Sequence, residues 1–392
     1  MNDKIIKRRL LDPVLADMFR GKTILILGPR QVGKTTLINE IRKASGEPAT
    51  MLNADNPGDR ELLNGMSSTR ARQLFPNRHV LYIDEAQRLE NTGLTLKIIH
   101  DSCPWLQMIV TGSSAFELAD RIREPMTGRK FTWYLYPLSA QEIAGHTTPV
   151  EFLRSLEHRL IFGSYPDVIN YAGSEPRILN ELITDYLFKD VFLLREVRKP
   201  ESIEHLVKAL AFQIGREVSY RELSNTLQLD KETIERYIRL LEENMIVFRL
   251  SSFSRNLRNE LKRSKKIFFY DSGIRNAIIQ RFVPVTLRDD LGVLWENFLL
   301  TERRRWNHYR SYLASTYFWR TTSKQEIDYI EEHEGAISAF EFKWNPASKA
   351  TLPKSFIDAY DPVEKSIITP DNFLRFLGVG NIGPDTLQLS GV

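Results

Sequence analysis

Short apolar runs and amphipathic stretches alternate through the first third of the chain. Residues 24–27, 51–53, 79–83, 108–111 and 131–136 read as strands, and most of the intervals between them carry helical spacing. This alternation predicts a largely parallel sheet covered by helices. Residues 4–20 predict an amphipathic helix or helix pair, interrupted near Pro13. From 137 to 199 the pattern turns helical, with a loop at 163–166, and predicts a small helical lid.

Residues 203–214, 219–227 and 231–243 predict three further helices. Ser219 and Glu222 have capping-box spacing, and Asp230 is placed to cap the third helix. On that helix Ile234, Ile238 and Leu241 share one face, leaving Arg236 and Arg239 pointing largely elsewhere. A strand at 245–250, a basic loop and a return strand at 267–270 complete the pattern of a winged helix. Its third helix would enter a major groove, and its wing, with Arg255, Arg258, Lys262, Arg263, Lys265 and Lys266, would lie on phosphates. The same architecture also serves as a protein-contact module.

The last segment predicts a helical run around Trp295-Glu296-Asn297-Phe298, a strand at 317–320, and strands at 326–330 and 339–344. Period-two alternation puts Glu341 and Lys343 on one face of the final strand. An Asp followed by Glu-x-Lys on a neighbouring strand is the active-site layout of the PD-(D/E)xK nucleases. In that layout Asp328 and Glu341, helped by Glu296, hold Mg²⁺ near a scissile phosphate, and Lys343 orients the water or stabilises developing charge. A cross-strand salt bridge accounts for the same alternation of charge.

The chemistry of the first third is sharper. Gly28-Pro29-Arg30-Gln31-Val32-Gly33-Lys34-Thr35-Thr36 follows the first strand and opens a helix, the context of a P-loop. Backbone N–H groups of this loop surround a polyphosphate, Lys34 reaches its β- and γ-phosphates, and the Thr35 hydroxyl is placed to ligate Mg²⁺. About fifty residues on, the strand at 79–83 ends in Asp84-Glu85, a Walker B arrangement. Asp84 would hold Mg²⁺ and Glu85 would act as general base toward the γ-phosphate.

Composition narrows the class. The 392 residues are 42% hydrophobic and 27% charged, an ordinary globular balance long enough for two to four domains. No apolar stretch approaches the ~20 residues of a membrane span, and Met1-Asn-Asp-Lys begins no signal-peptide core, so a cytoplasmic protein is expected. The single cysteine, Cys103, excludes an internal disulfide and is expected to be a small buried hydrophobe. A net charge of +4 hides an asymmetry: residues 251–320 hold 14 Lys/Arg against 6 Asp/Glu, whereas 321–392 hold 6 against 11. The first of these stretches is a candidate phosphate-binding surface, or a solvated basic face.

In this order the motifs resemble the bacterial and archaeal AAA+ ATPases that carry a C-terminal domain of unknown function, DUF4143. The resemblance rests on residues 28–35, Tyr-Ile-Asp-Glu-Ala-Gln at 82–87, Thr-Gly-Ser-Ser at 111–114, Tyr-Pro-Leu-Ser at 136–139 and Phe-Tyr-Asp-Ser-Gly at 269–273. Leu-Trp-Glu-Asn-Phe at 294–298, Phe-Trp-Arg at 318–320, Glu-Ile-Asp at 326–328 and Glu-Phe-Lys at 341–343 extend it to nearly the whole chain. It implies an α/β fold: a P-loop AAA+ core at 1–136, a helical lid at 137–200, a winged helix at 201–275 and a restriction-endonuclease-like domain at 276–392. It also implies ATP and Mg²⁺ as ligands, a homo-oligomeric ring or spiral with a hexamer favoured, and a sensor serine, Ser113 or Ser114, that positions the attacking water. Either serine serves equally as a helix N-cap. Arg121, Arg123 or Arg129 would act in trans as an arginine finger, Arg129 being the first choice and a surface salt bridge its alternative. The expected function is an ATP-hydrolysing protein that binds DNA, with nuclease activity left open. The alternative is a nucleotide-gated switch for a protein partner, built on an inactive nuclease-like scaffold.

Overall fold

Five runs rich in branched and aromatic side chains form one parallel sheet, as buried strands with helices on both faces do. They are β1 (Thr23–Leu27), β2 (Ala49–Asn53), β3 (Val80–Asp84), β4 (Gln107–Gly112) and β5 (Lys130–Tyr134), in the order β2-β3-β4-β1-β5. Every residue of β1, β3 and β4 is buried. The computed structural model describes residues 5–112, 122, 124–184, 200–254 and 265–380. Two compact units divide them: residues 5–137 with 243–245, and residues 138–242 with those from 246 onward.

In the first unit the register pairs Asn53 with Asp84 and Leu27 with Gly112, so the carboxyl ends of β1 to β4 lie level. Open parallel sheets bind ligands at that edge. The helices Lys34–Ser45, Pro57–Leu63, Ser68–Leu74 and Thr92–Ser102 connect the strands. Leu52, Leu81, Ile83, Leu96, Ile99 and Val110 belong to the core between sheet and helices, where Cys103 is buried as a free thiol. The break expected near Pro13 is absent. A helix spans Leu11–Asp17, with Pro13 in its first turn, where a missing N–H leaves no intrahelical bond unmade.

The second unit begins with short helices, Ala140–Ala144, Pro149–Arg154, Leu156–Phe162, Pro166–Asn170 and Glu175–Leu182. Capping boxes at Ser139/Glu142 and Thr148/Glu151 start the first two. Buried Glu302 accepts from the Ala140 N–H at 2.6 Å, Arg159 Nη2 at 3.0 Å and Arg305 Nη1 at 2.8 Å, fixing the expected lid segment within this unit. Helices Pro200–Phe212, Tyr220–Leu227 and Lys231–Glu243 follow, with β6 (Glu217–Val218) between the first two.

The hairpin β7 (Val247–Ser252) and β8 (Lys265–Phe269) does not stand apart as a wing. With β9 (Ser315–Arg320), β10 (Glu326–His333), β11 (Ala336–Phe342) and β12 (Glu364–Ile368) it forms one seven-stranded sheet, ordered β12-β11-β10-β9-β7-β8-β6. β7 runs parallel to β9, pairing Ser251 with Tyr317 and Ser252 with Phe318. The strands on either side of the boundary expected at 275/276 therefore share a sheet. The physical reason lies in the hairpin itself: Val247, Phe248, Leu250, Ile267, Phe268 and Phe269 are all buried, as strands inside a sheet require. The helix Leu291–Tyr309 contributes buried Trp295, Glu296 and Asn297 to the same unit. No helix among the described residues is long and apolar enough to cross a membrane.

Candidate functional site

The P-loop leaves the carboxyl end of β1. A Cβ on Gly28 would lie 2.3 Å from the Leu135 carbonyl oxygen, so the loop passes that backbone only with glycine. Gly33, at φ +90°, caps the helix Lys34–Ser45, and Gln31 also takes a positive φ. These residues turn the chain back on itself, as an anion-binding loop must. The Lys34 side chain is buried, and its Nζ donates to the carbonyls of Gly28 at 3.0 Å and Pro29 at 2.9 Å. Thr35 and Thr36 open the helix with exposed side chains.

Asp84 ends β3 opposite that helix. Thr35 Oγ1 donates to its Oδ2 at 2.9 Å, Thr111 Oγ1 on β4 donates to its Oδ1, and the Glu85 N–H donates to Oδ1 at 3.1 Å. The Walker A hydroxyl and Walker B carboxylate thus meet directly. Glu85 sits at φ +53°, a left-handed conformation uncommon for a non-glycine residue. Its carboxylate accepts a hydrogen bond from Gln87 Nε2. The donors on offer, one hydroxyl and one carboxylate, are the hard oxygens that Mg²⁺ takes alongside phosphate and water.

Sequence reasoning passed over three of these side chains. Thr111 stands in the strand expected at 108–111, where Ser113 and Ser114 offer the same hydroxyl chemistry; those serines, with Arg121 and Arg123, lie outside the described residues. Gln87 had a signal, since it closes the Asp-Glu-Ala-Gln stretch. Arg8 had none that set it apart from Lys7 and Arg9. It is buried, and its guanidinium donates to the carbonyls of Val32 at 2.6 Å and Tyr136 at 2.5 Å, tying the P-loop to the chain that leaves β5. Arg129 is paired within its own chain: Nε and Nη2 donate to Asp101 at 2.8 and 3.3 Å. That hydrogen bond draws the Asp101 carboxyl below its ordinary range.

The residues expected to form a nuclease-like site lie in the second unit. Where β10 pairs β9, the register shifts between Ile327 and Ile330, one residue of β9 facing two of β10. Such a bulge re-aims side chains, and Asp328 falls in it. Its Oδ2 accepts the Phe342 N–H from β11 at 2.8 Å. Glu341 Oε1 accepts from Lys343 Nζ at 2.6 Å, while Glu341 Oε2 is buried without a hydrogen-bond partner. Burial pushes the carboxyl groups of Asp328 and Glu341 up from their usual range.

Glu296 is paired with Lys266. The expectation that Lys266 lies on DNA phosphates is corrected by its position: it is 3% exposed, and its Nζ meets Glu296 Oε1 at 3.1 Å and Glu326 Oε1 at 2.6 Å. Burial opposes the ammonium charge, but Glu296, Asp328 and Glu326 together raise its pKa. Burial pushes the Glu296 carboxyl up to about 8, with Lys266 drawing it down and Asp328 pushing it further up. The expected metal shell of Glu296, Asp328 and Glu341 does not form, and among the described residues no group of three or more His, Cys, Asp or Glu is arranged to hold a metal ion.

Of the other expected DNA contacts, Arg236 is half-buried, donates to Thr233 Oγ1 at 3.1 Å and stacks over Tyr237. Arg239 is exposed on a helix face shared with Glu232 and Glu235, and Lys265 begins β8 half-buried. Arg255, Arg258, Lys262 and Arg263 lie outside the described residues.

Residues 20–144 match the AAA domain family, residues 153–284 a domain of unknown function, DUF8612, and residues 291–377 the domain of unknown function DUF4143. An uncharacterised protein of Mycobacterium tuberculosis is 26% identical over 358 residues, 87% of this chain and 75% of that protein. Another, from Methanocaldococcus jannaschii, is 26% identical over 305 residues, 66% of this chain and 63% of that protein. Among solved structures, a Walker-type ATPase of Pyrococcus abyssi has a TM-score of 0.47 at 14% identity, covering 71% of this chain and 97% of that one. The Orc1 protein of Aeropyrum pernix in complex with DNA has a TM-score of 0.35 at 13% identity, covering 71% and 93%.

Proposed function

From the AAA domain at residues 20–144 and the site it carries, we propose that this chain binds and hydrolyses ATP with Mg²⁺. The observation that carries the proposal is the 2.9 Å hydrogen bond joining Thr35 of the P-loop to Asp84 at the end of β3. The backbone N–H groups of residues 30–36 and the Lys34 ammonium bind the polyphosphate, Lys34 leaving the Gly28 and Pro29 carbonyls to do so. Thr35 and Asp84 would hold Mg²⁺, which would neutralise charge on the phosphates. Thr111 fixes the orientation of Asp84. Glu85 takes the proton of the attacking water, and Gln87 holds its carboxylate in place until then. Lys34→Ala should abolish nucleotide binding or turnover, and Glu85→Gln should bind ATP without hydrolysing it. Normal turnover by the Glu85 variant refutes the assignment of the base.

A second reading adds DNA. One observation favours it: between β7 and β8 the sequence carries Arg255, Arg258, Lys262 and Arg263 against the single carboxylate of Glu260. DNA contact then rests on this segment, since the exposed side of the helix Lys231–Glu243 mixes both signs of charge. In a ring of identical subunits Arg129 would have to leave Asp101 to serve a neighbour's phosphates. ATP turnover with and without duplex DNA at two salt concentrations separates the readings. Stimulation that fades with salt supports DNA; turnover indifferent to DNA supports a nucleotide-gated switch for a protein partner.

A further inference from the structure

We infer that Lys266 takes the place of the divalent cation in the nuclease-like site, so that this site is filled by the chain's own ammonium and binds no metal. The inference stands apart from the ATPase reading. Lys266 belongs to β8, and its Nζ lies 5.3 Å above the Phe318 ring of β9 on its way to Glu326 at the start of β10. There the ammonium sits between Glu296 Oε1 and Glu326 Oε1, at 3.1 and 2.6 Å, with Asp328 contributing further negative charge. Glu296 and Asp328 belong to the set that a cation in this layout would draw on, and Glu326 is a further carboxylate that the sequence pattern did not assign to it. A metal ion binds carboxylate oxygens at about 2 Å, which would bring its two charges into near contact with a buried ammonium. The second lysine works the same way: Lys343 is bound to Glu341 Oε1 at 2.6 Å and faces Asp328.

Space is as restrictive as charge. A Cβ on Gly215 would come within 3.3 Å of Glu296 Oε2, so backbone walls one side of that carboxylate. The one feature that suits a metal is Glu341 Oε2, already buried and without a hydrogen-bond partner, and a single such oxygen does not make a metal shell. Its presence makes the inference testable in reverse, because removing Lys266 would leave Glu296, Glu326, Asp328 and Glu341 together with no ammonium between the first two. In the native chain Lys266 instead pins the β7–β8 hairpin to the strands that follow it.

The test titrates Mn²⁺ alone, without nucleotide, into the full chain, and follows binding by the loss of the free-ion paramagnetic resonance signal. The wild type should bind no Mn²⁺ that Asp328→Asn removes, at concentrations up to the millimolar range. Lys266→Met, which keeps the length of the stem and loses the charge, should gain one Mn²⁺ site, lost again when Asp328→Asn is added. A wild-type Mn²⁺ site abolished by Asp328→Asn overturns the inference, and so does a Lys266→Met protein that melts cooperatively yet binds no Mn²⁺. Should Lys266→Met fail to fold, the comparison of wild type with Asp328→Asn still decides.

Discussion

Replacing Arg8 by methionine tests how the P-loop is held. The guanidinium donates to two carbonyls, Val32 at 2.6 Å and Tyr136 at 2.5 Å, and is 4% exposed. Hydrogen bonds from a charged group contribute roughly 1.5–3 kcal/mol each, and each carbonyl left unsatisfied adds a desolvation penalty of about 1–3 kcal/mol. Against this, the variant no longer buries a charge, and methionine fills most of the space with apolar surface. The net loss should be about 2–4 kcal/mol, which for a unit of this size lowers the melting temperature by roughly 5–12 °C. Because Val32 belongs to the loop itself, the KM for ATP should rise more than kcat falls. Thermal melting and steady-state ATP turnover measure the two effects. Arg8→Lys should recover only part of each, since one ammonium cannot span both carbonyls in the fixed geometry of the guanidinium fork. A methionine variant that melts within a degree of the wild type with an unchanged KM refutes the reasoning.

Gly28→Ala should cost more than Lys34→Ala in stability and as much in nucleotide binding, because its Cβ would meet backbone, the Leu135 carbonyl oxygen, at 2.3 Å; an alanine variant with wild-type melting and ATP affinity counts against the close approach. Thr111→Val removes the hydroxyl that orients Asp84 and should lower kcat about tenfold or more while leaving ATP binding largely intact, a split that steady-state kinetics resolves. Glu296 gives a pH prediction. Its folded carboxyl is raised to about 8, above the ordinary 4.5, so between those values the folded chain keeps a proton that the unfolded chain releases. Stability therefore falls as pH rises through that window, by at most about 1.4 kcal/mol per pH unit. Urea midpoints at several pH values should show a shallower fall for Glu296→Gln, and an unchanged slope would remove Glu296 as the cause.

The nucleotide site was legible because its chemistry is local. The spacing of Gly28, Gly33, Lys34 and Thr35 dictates a backbone that turns and then starts a helix, and an apolar run ending in Asp84-Glu85 dictates a buried strand with its carboxylates at the ligand-binding edge. Such features follow from backbone conformation and residue period over a dozen residues, which the sequence carries in full. Arg8 was illegible for the opposite reason: it acts on Val32 and Tyr136, 24 and 128 positions away.

The second unit shows the same division more sharply. Period-two alternation at Glu341 and Lys343 and the three helices before β7 could be read residue by residue. Lys266, by contrast, looks in the sequence like one more cation of a basic loop, between Lys265 and an apolar strand. The parallel pairing of β7 with β9 carries it inside, and the bulge at Asp328 and the helix bearing Glu296 complete its surroundings. Charge, period and motif spacing, each a property of neighbours along the chain, belonged to the sequence alone. Which carboxylates meet which ammonium was decided by tertiary structure, because the free energy of a buried charge depends on partners that strand pairing brings from distant positions.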